Sequence, residues 1–141
     1  MSRTWLLAVA VSALAGCGHA EAQPVHFDLD QPFTLGGGQE ATIRGENLLV
    51  RFTDVLEDSR CPKAVECFWT GQARVAVDVQ PDGGEPTTVQ FNTNPAPGQN
   101  VQVATVNGYA VALRALDPFP QTPDESIELE DYRVTLLVAK G

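Results

Sequence analysis

Apolar and polar positions alternate along most of the chain from residue 25 onward. The cleanest run is 73–79, Ala-Arg-Val-Ala-Val-Asp-Val, with Val75, Val77 and Val79 on one face and Arg74 and Asp78 on the other. A period of two is that of a half-buried strand. The same alternation turns Val50 and Phe52 toward a core and Arg51 outward in 48–55. It turns Val89 and Phe91 inward in 87–91, and puts Tyr132, Val134, Leu136 and Val138 on one face of the final run. Leu137, on the opposite face of that run, implies partial cover on both sides. No segment carries a helical repeat.

Turn chemistry separates these runs. Gly45-Glu46-Asn47 divides 40–43 from 48–55, and Pro81-Asp82-Gly83-Gly84-Glu85-Pro86 precedes 87–91. Asn107-Gly108, between the apolar arms 101–106 and 109–116, predicts a two-residue type I′ hairpin, whose twist matches that of paired strands. Short candidates lie at 25–29 and 33–35, before Gly36-Gly37-Gly38. That triplet reads as a turn, because neither a helix start nor a G-K-[ST] sequence follows it to make a phosphate cradle. Residues 92–100, with Pro95, Pro97 and Gly98, predict an exposed loop. Asp117-Pro118-Phe119-Pro120-Gln121-Thr122-Pro123 must cross over or run along an edge. About eight short strands at this spacing predict an all-β fold, an antiparallel β-sandwich of the immunoglobulin-like kind, as one domain over 25–141. Two sheets face to face suit the pattern better than a closed barrel.

The amino terminus follows another pattern. Arg3 precedes the apolar run 5–13, which is too short for the ~20 residues of a membrane span and fits a signal h-region. Leu14-Ala15-Gly16-Cys17 follows at once and looks like a bacterial lipobox, in which the cysteine is acylated and becomes the new first residue. Residues 1–16 are therefore expected to be a lipoprotein signal peptide, and 17–24 a lipidated Cys17 with a small, polar tether. Gly18 in the next position favours the outer membrane of a diderm cell. The alternative is cleavage after Ala22, at Ala20-Glu21-Ala22, which would release a soluble secreted protein.

The formal charge of the 141-residue chain is −9. Removing 1–16 takes away Arg3 alone and leaves 8 basic against 18 acidic side chains, a balance of −10. So acidic a chain, with no Lys/Arg run, argues against nucleic acid and anionic lipid as partners.

An exported chain meets an oxidising compartment. With Cys17 lipidated or cleaved away, Cys61 and Cys67 have one intramolecular pairing left, and it closes a loop of about seven residues worth about 2 kcal/mol in the chain-entropy model. Five residues between them is too many for a C-x-x-C redox pair. Zinc would want four ligands, and the only histidines, His19 and His26, lie far back. Pro62 stiffens the loop, which leads directly into the strand 73–79.

Asp58-Ser59-Arg60-Cys61-Pro62 followed by Cys67-Phe68-Trp69-Thr70-Gly71-Gln72-Ala73 resembles a pattern in a family of small bacterial secreted proteins and lipoproteins. The resemblance extends to 48–55, Pro118-Phe119-Pro120 and Asp131-Tyr132-Arg133-Val134-Thr135. It implies export and a disulfide, and it carries no activity to this chain.

No residue set points to catalysis or to a cofactor. His19 falls in the tether and His26 at the edge of the first strand, away from any nucleophile. Glu57, Asp58 and Glu66 read as solvated loop carboxylates rather than a glycosidase pair. Asp124, Glu125, Glu128, Glu130 and Asp131 crowd one segment, as calcium would require, yet no D-x-D-x-D-G loop is present and a solvated edge explains the run. Arg60 is expected to bind Glu57 or Asp58 bidentately and so pin the loop to the preceding strand. Trp69 has two readings: packed on its disulfide, or part of a contact surface with Arg60, Lys63, Val65 and Phe68, residue types among which Trp and Arg dominate binding hot spots. The chain is accordingly expected to be a non-enzymatic envelope lipoprotein. It would be held on the membrane through Cys17 and act as a binding or scaffold module for a protein partner. The alternative is an inhibitor of a secreted hydrolase, a protease or lysozyme, that inserts the rigid Cys61–Cys67 loop into a cleft, with residues 63–65 standing clear as a convex tip.

Overall fold

The computed structural model describes residues 25–81, 83–95 and 102–141. The signal, Cys17, the tether, the Ala22 cleavage site, His19, Val101 and most of the 92–100 loop lie outside the described residues. Among the described residues nine strands form, one on each of the runs named above and in line with a count of about eight: β1 Val25–Phe27, β2 Phe33–Gly36, β3 Glu40–Ile43, β4 Leu48–Asp58, β5 Ala73–Pro81, β6 Thr87–Asn92, β7 Val103–Val106, β8 Tyr109–Asp117 and β9 Arg133–Lys140. The only helical element among the described residues is a single 3₁₀ turn, Leu129–Asp131.

The strands make a five-stranded sheet, β1-β3-β4-β5-β6, and a four-stranded sheet, β2-β9-β8-β7. One shared core lies between them, with Ile43, Val50, Phe52, Val75, Val77, Val79 and Phe91 from the first sheet meeting Leu35, Val111, Val134, Leu136 and Val138 from the second. These are the inward residues of the period-two runs. The layering is that of a sandwich, but the wiring departs from the immunoglobulin arrangement. There the chain changes sheet at B–C, C–D and E–F, giving ABED and CFG. Here β3 to β6 and β7 to β9 pair in chain order as meanders, because short turns join most neighbouring strands.

Three connections cross between the layers: β1 to β2, β2 to β3 and β6 to β7. β1 and β3 pair in parallel, Val25 with Ala41 and Phe27 with Ile43. Parallel neighbours need a crossover, and β2 supplies it from the opposite sheet, where it pairs antiparallel with β9. The Phe27 ring stacks on that of Phe33 at 4.6 Å between centroids. At the tight hairpin, Asn107 and Gly108 have φ of 51° and 82°, the double left-handed geometry of a type I′ turn.

Strand β4 is the longest, at 11 residues, and pairs with β5 along its whole length. Register shifts between Phe52 and Asp54 and between Val55 and Glu57 add twist to its outer half. That half carries the chain past the core, to the loop described below.

Replacing Phe52, fully buried in β4, by Ala should lower unfolding free energy in urea by about 3–5 kcal/mol. Arg51→Ala beside it removes an exposed ion pair with Glu40 at 3.4 Å and should change stability by less than about 1 kcal/mol. Equal losses from the two variants would contradict the inward and outward assignment.

Candidate functional site

The long connection from β4 to β5, residues 59–72, is tied down along both limbs. Its first and last residues continue the strand ladder: the Ser59 N–H donates to the Gln72 carbonyl at 2.7 Å and the Cys61 N–H to that of Thr70 at 3.1 Å. The Ser59 hydroxyl adds a bond to the same Gln72 carbonyl at 3.0 Å. Gly71, at φ 65°, passes so close to the Ser59 carbonyl that any Cβ would collide with it. The Cys61–Cys67 disulfide closes the loop, its Cα atoms 6.0 Å apart. On the far side, the N–H groups of Lys63 and Ala64 donate to the carbonyls of Pro120 and Gln121 at 2.9 and 3.0 Å. Residues 63–65 therefore do not stand clear as a convex tip: Lys63 and Ala64 are docked by their backbone on the β8–β9 connection, and the Val65 N–H bonds back to the Pro62 carbonyl.

Arg60 makes the strongest attachment. Its Nε and Nη2 donate to the two oxygens of Asp58, each at 2.8 Å, the bidentate pair expected from the sequence. The same guanidinium also reaches across the sandwich: Nη1 donates to the Leu116 carbonyl at 2.5 Å and Nη2 to that of Pro118 at 2.8 Å. The Phe119 ring covers it, its centroid 4.3 Å from Cζ, a cation–π contact. The side chains of Arg60 and Asp58 are only 4% and 9% exposed. Arg60 is thus buried, in keeping with the loop-pinning reading, and is not part of the exposed surface of the alternative. The Tyr132 hydroxyl donates to the second Asp58 oxygen at 2.7 Å. Tyr132, Leu116, Pro118 and Phe119 are the members of the site that sequence reasoning missed. The Tyr in Asp-Tyr-Arg-Val-Thr was readable only as a core position.

Burial pushes the Asp58 carboxyl up, but the bonds from Arg60 and Tyr132 outweigh it and hold the carboxyl below its ordinary value. Tyr132 is pushed up to about 12, first by burial and then by the hydrogen bond to Asp58.

The two aromatics after Cys67 do the reverse of Arg60. Phe68 is fully exposed and Trp69 is 78% exposed, so Trp69 does not pack on its disulfide as in immunoglobulin cores. Lys63 and Val65 share the exposed side of the loop. The other candidates are dispersed. Glu57 pairs with Arg74 at 3.0 Å, Glu66 and His26 are exposed, and Glu125 accepts the Gln121 N–H at 2.6 Å. Among the described residues no three His, Cys, Asp or Glu side chains converge as a metal set. A cleft of about 430 Å³ opens between the loop and β8, lined by Thr70, Asn94, Arg114 and Phe119 among others. Its amide is already engaged, since Asn94 Nδ2 donates to the Thr70 hydroxyl and the Gly71 carbonyl.

Arg60→Met strands a buried carboxylate and should cost about 3–5 kcal/mol in chemical denaturation, whereas Asp58→Leu with Arg60→Met should cost less than the single change. An additive pair of losses would show that the two side chains do not act as a unit. The tyrosine titration carries a sign of its own. Tyr132 has its pKa raised above the unfolded value of ~10, so its contribution is complete below that value and is lost as pH rises toward about 12. Absorbance at 295 nm should show Tyr132 ionising about two units later in the native than in the unfolded protein; coincident curves would refute the buried hydroxyl. Comparison of the chain with protein-family models, with curated proteins and with solved structures finds no match.

Proposed function

We propose that this protein is a non-enzymatic lipoprotein of the bacterial envelope: a β-sandwich anchored through Cys17 that serves as a binding or scaffold module for a protein partner. The observation that carries the reading is the contrast inside one loop. The backbone of 59–72 is fixed by a disulfide, ladder bonds and a buried guanidinium, while Phe68 and Trp69 are held out in water. A rigid scaffold that displays large apolar side chains loses little entropy on docking. Such side chains are poor in chemistry and rich in contact energy, which favours recognition over catalysis. The lipobox abutting the apolar run supports the anchor, and the outer membrane is the proposed location.

The inhibitor reading is weaker on the same geometry. A cleft-inserting loop needs its tip free, and the backbone of Lys63 and Ala64 is already bonded to residues 120–121.

Cys17→Ala should convert a detergent-extractable, membrane-bound protein into a soluble or unprocessed one, read by fractionation and by loss of the acyl mass. Unchanged fractionation would refute the anchor. Wild-type protein that strongly inhibits a member of a protease and lysozyme panel would replace the binding-module reading with the inhibitor.

A further inference from the structure

Strand direction alone places the start of β1 and the aromatic pair at the same end of the sandwich. β1 is parallel to β3, and β3 is antiparallel to β4. Val25 therefore enters from the end at which β4 finishes. Register gives the offset. Val25 is level with Ala41, Ala41 with Val50, and Val50 with Val79, while Asp58 is level with Ala73. From Val79 to Ala73 is six residues, about 20 Å of strand at ~3.3 Å each. The loop that bears Phe68 and Trp69 thus begins about 20 Å beyond Val25 and projects farther in the same direction.

The chain between Cys17 and Val25 sets the second distance. Eight peptide steps span at most about 28 Å. A lipid on Cys17 thus keeps the bilayer surface within about 28 Å of Val25, a reach close to the distance by which the loop projects. Charge points the same way. Segment 58–72 holds Asp58, Arg60, Lys63 and Glu66 and is net neutral, in a chain of charge −9. Phe68, Trp69 and Val65 are its exposed apolar side chains. A neutral, aromatic tip on an otherwise acidic body suits a zwitterionic lipid surface, where an indole lodges its ring among the headgroups and keeps its N–H wet.

We infer that Phe68 and Trp69 form a second membrane contact, entering the interfacial zone of the bilayer that holds Cys17. The inference rests on the lipoprotein reading above. It orients the sandwich, with the disulfide loop toward the lipid. The turn between β5 and β6 and the Asn107-Gly108 hairpin then face away from the membrane.

The test uses the fact that the chain has two tryptophans, Trp5 and Trp69, so the processed lipoprotein keeps only Trp69. The processed protein is reconstituted into phosphatidylcholine/phosphatidylethanolamine vesicles with ordinary or brominated acyl chains. Brominated lipid should lower Trp69 emission about twofold, with a blue-shifted maximum, as for an indole at headgroup depth. In a Trp69→Phe, Glu85→Trp variant the reporter sits at the opposite end and should give the same emission in both vesicles. Identical Trp69 emission in the two vesicles, from protein that mass spectrometry shows acylated at Cys17, would overturn the membrane contact and leave the lipoprotein reading standing. A mass without the acyl group would overturn the lipoprotein reading, and this inference with it. Shielding of Trp69 from iodide only when an envelope protein is crosslinked to the loop would assign the surface to that protein instead.

Discussion

A buried positive charge organises this molecule. Taking a guanidinium out of water is costly, and the fold meets that cost by surrounding Arg60 with a counter-charge, carbonyl acceptors and an aromatic ring. Asp58 supplies the counter-charge, the carbonyls of Leu116 and Pro118 accept two further N–H groups, and Phe119 covers the plane. Buried ion pairs are poor sources of net stability compared with apolar packing. Their value here is in position: a guanidinium with four directed bonds permits one arrangement of the strands that supply its acceptors. β4, the disulfide loop and the end of β8 are fixed relative to one another by a single side chain, and Tyr132 adds β9 through Asp58.

The opposite end of the sandwich has a more exposed counterpart. Glu46, in the turn between β3 and β4, accepts the Tyr109 hydroxyl from β8 and pairs with Lys140 of β9 at 2.9 Å. The hydrogen bonds from Tyr109 and Lys140 lower the Glu46 pKa, and Glu46 in turn raises those of both partners. Each end therefore joins the two sheets through a carboxylate, a cation and a tyrosine. The apolar layer between them is non-directional and would tolerate sliding of one sheet on the other; the polar clamps at its ends oppose that. Against so restrained a background, Phe68 and Trp69 stand out because nothing in the described fold uses them.

Much of the architecture could be read from spacing. Val75, Val77 and Val79 are fully buried, as are Val50, Phe52, Val134, Leu136 and Val138, and each was assigned inward from alternation alone. The Asn107-Gly108 turn, the Cys61–Cys67 closure and a carboxylate partner for Arg60 at Glu57 or Asp58 are also legible, since each involves residues close in sequence; the structure selects Asp58. Each of the nine strands falls on a run that alternation marks out. The immunoglobulin likeness extended to layers and not to strand order, because alternation identifies which face of a strand is buried and is silent on which neighbour it pairs with.

The sequence by itself determined the strands, their inward faces, the turns and the closed loop, because these obey periods and contacts spanning a few residues. Tertiary structure decided the rest: that Arg60, just before Cys61, lies inside, and Trp69, two residues after Cys67, lies outside. Arg60 finds its acceptors 56 and 58 residues away, and Asp58 finds its tyrosine donor 74 residues away. No local pattern encodes those distances. A guanidinium and Phe119 lie together behind the loop, and the indole faces water.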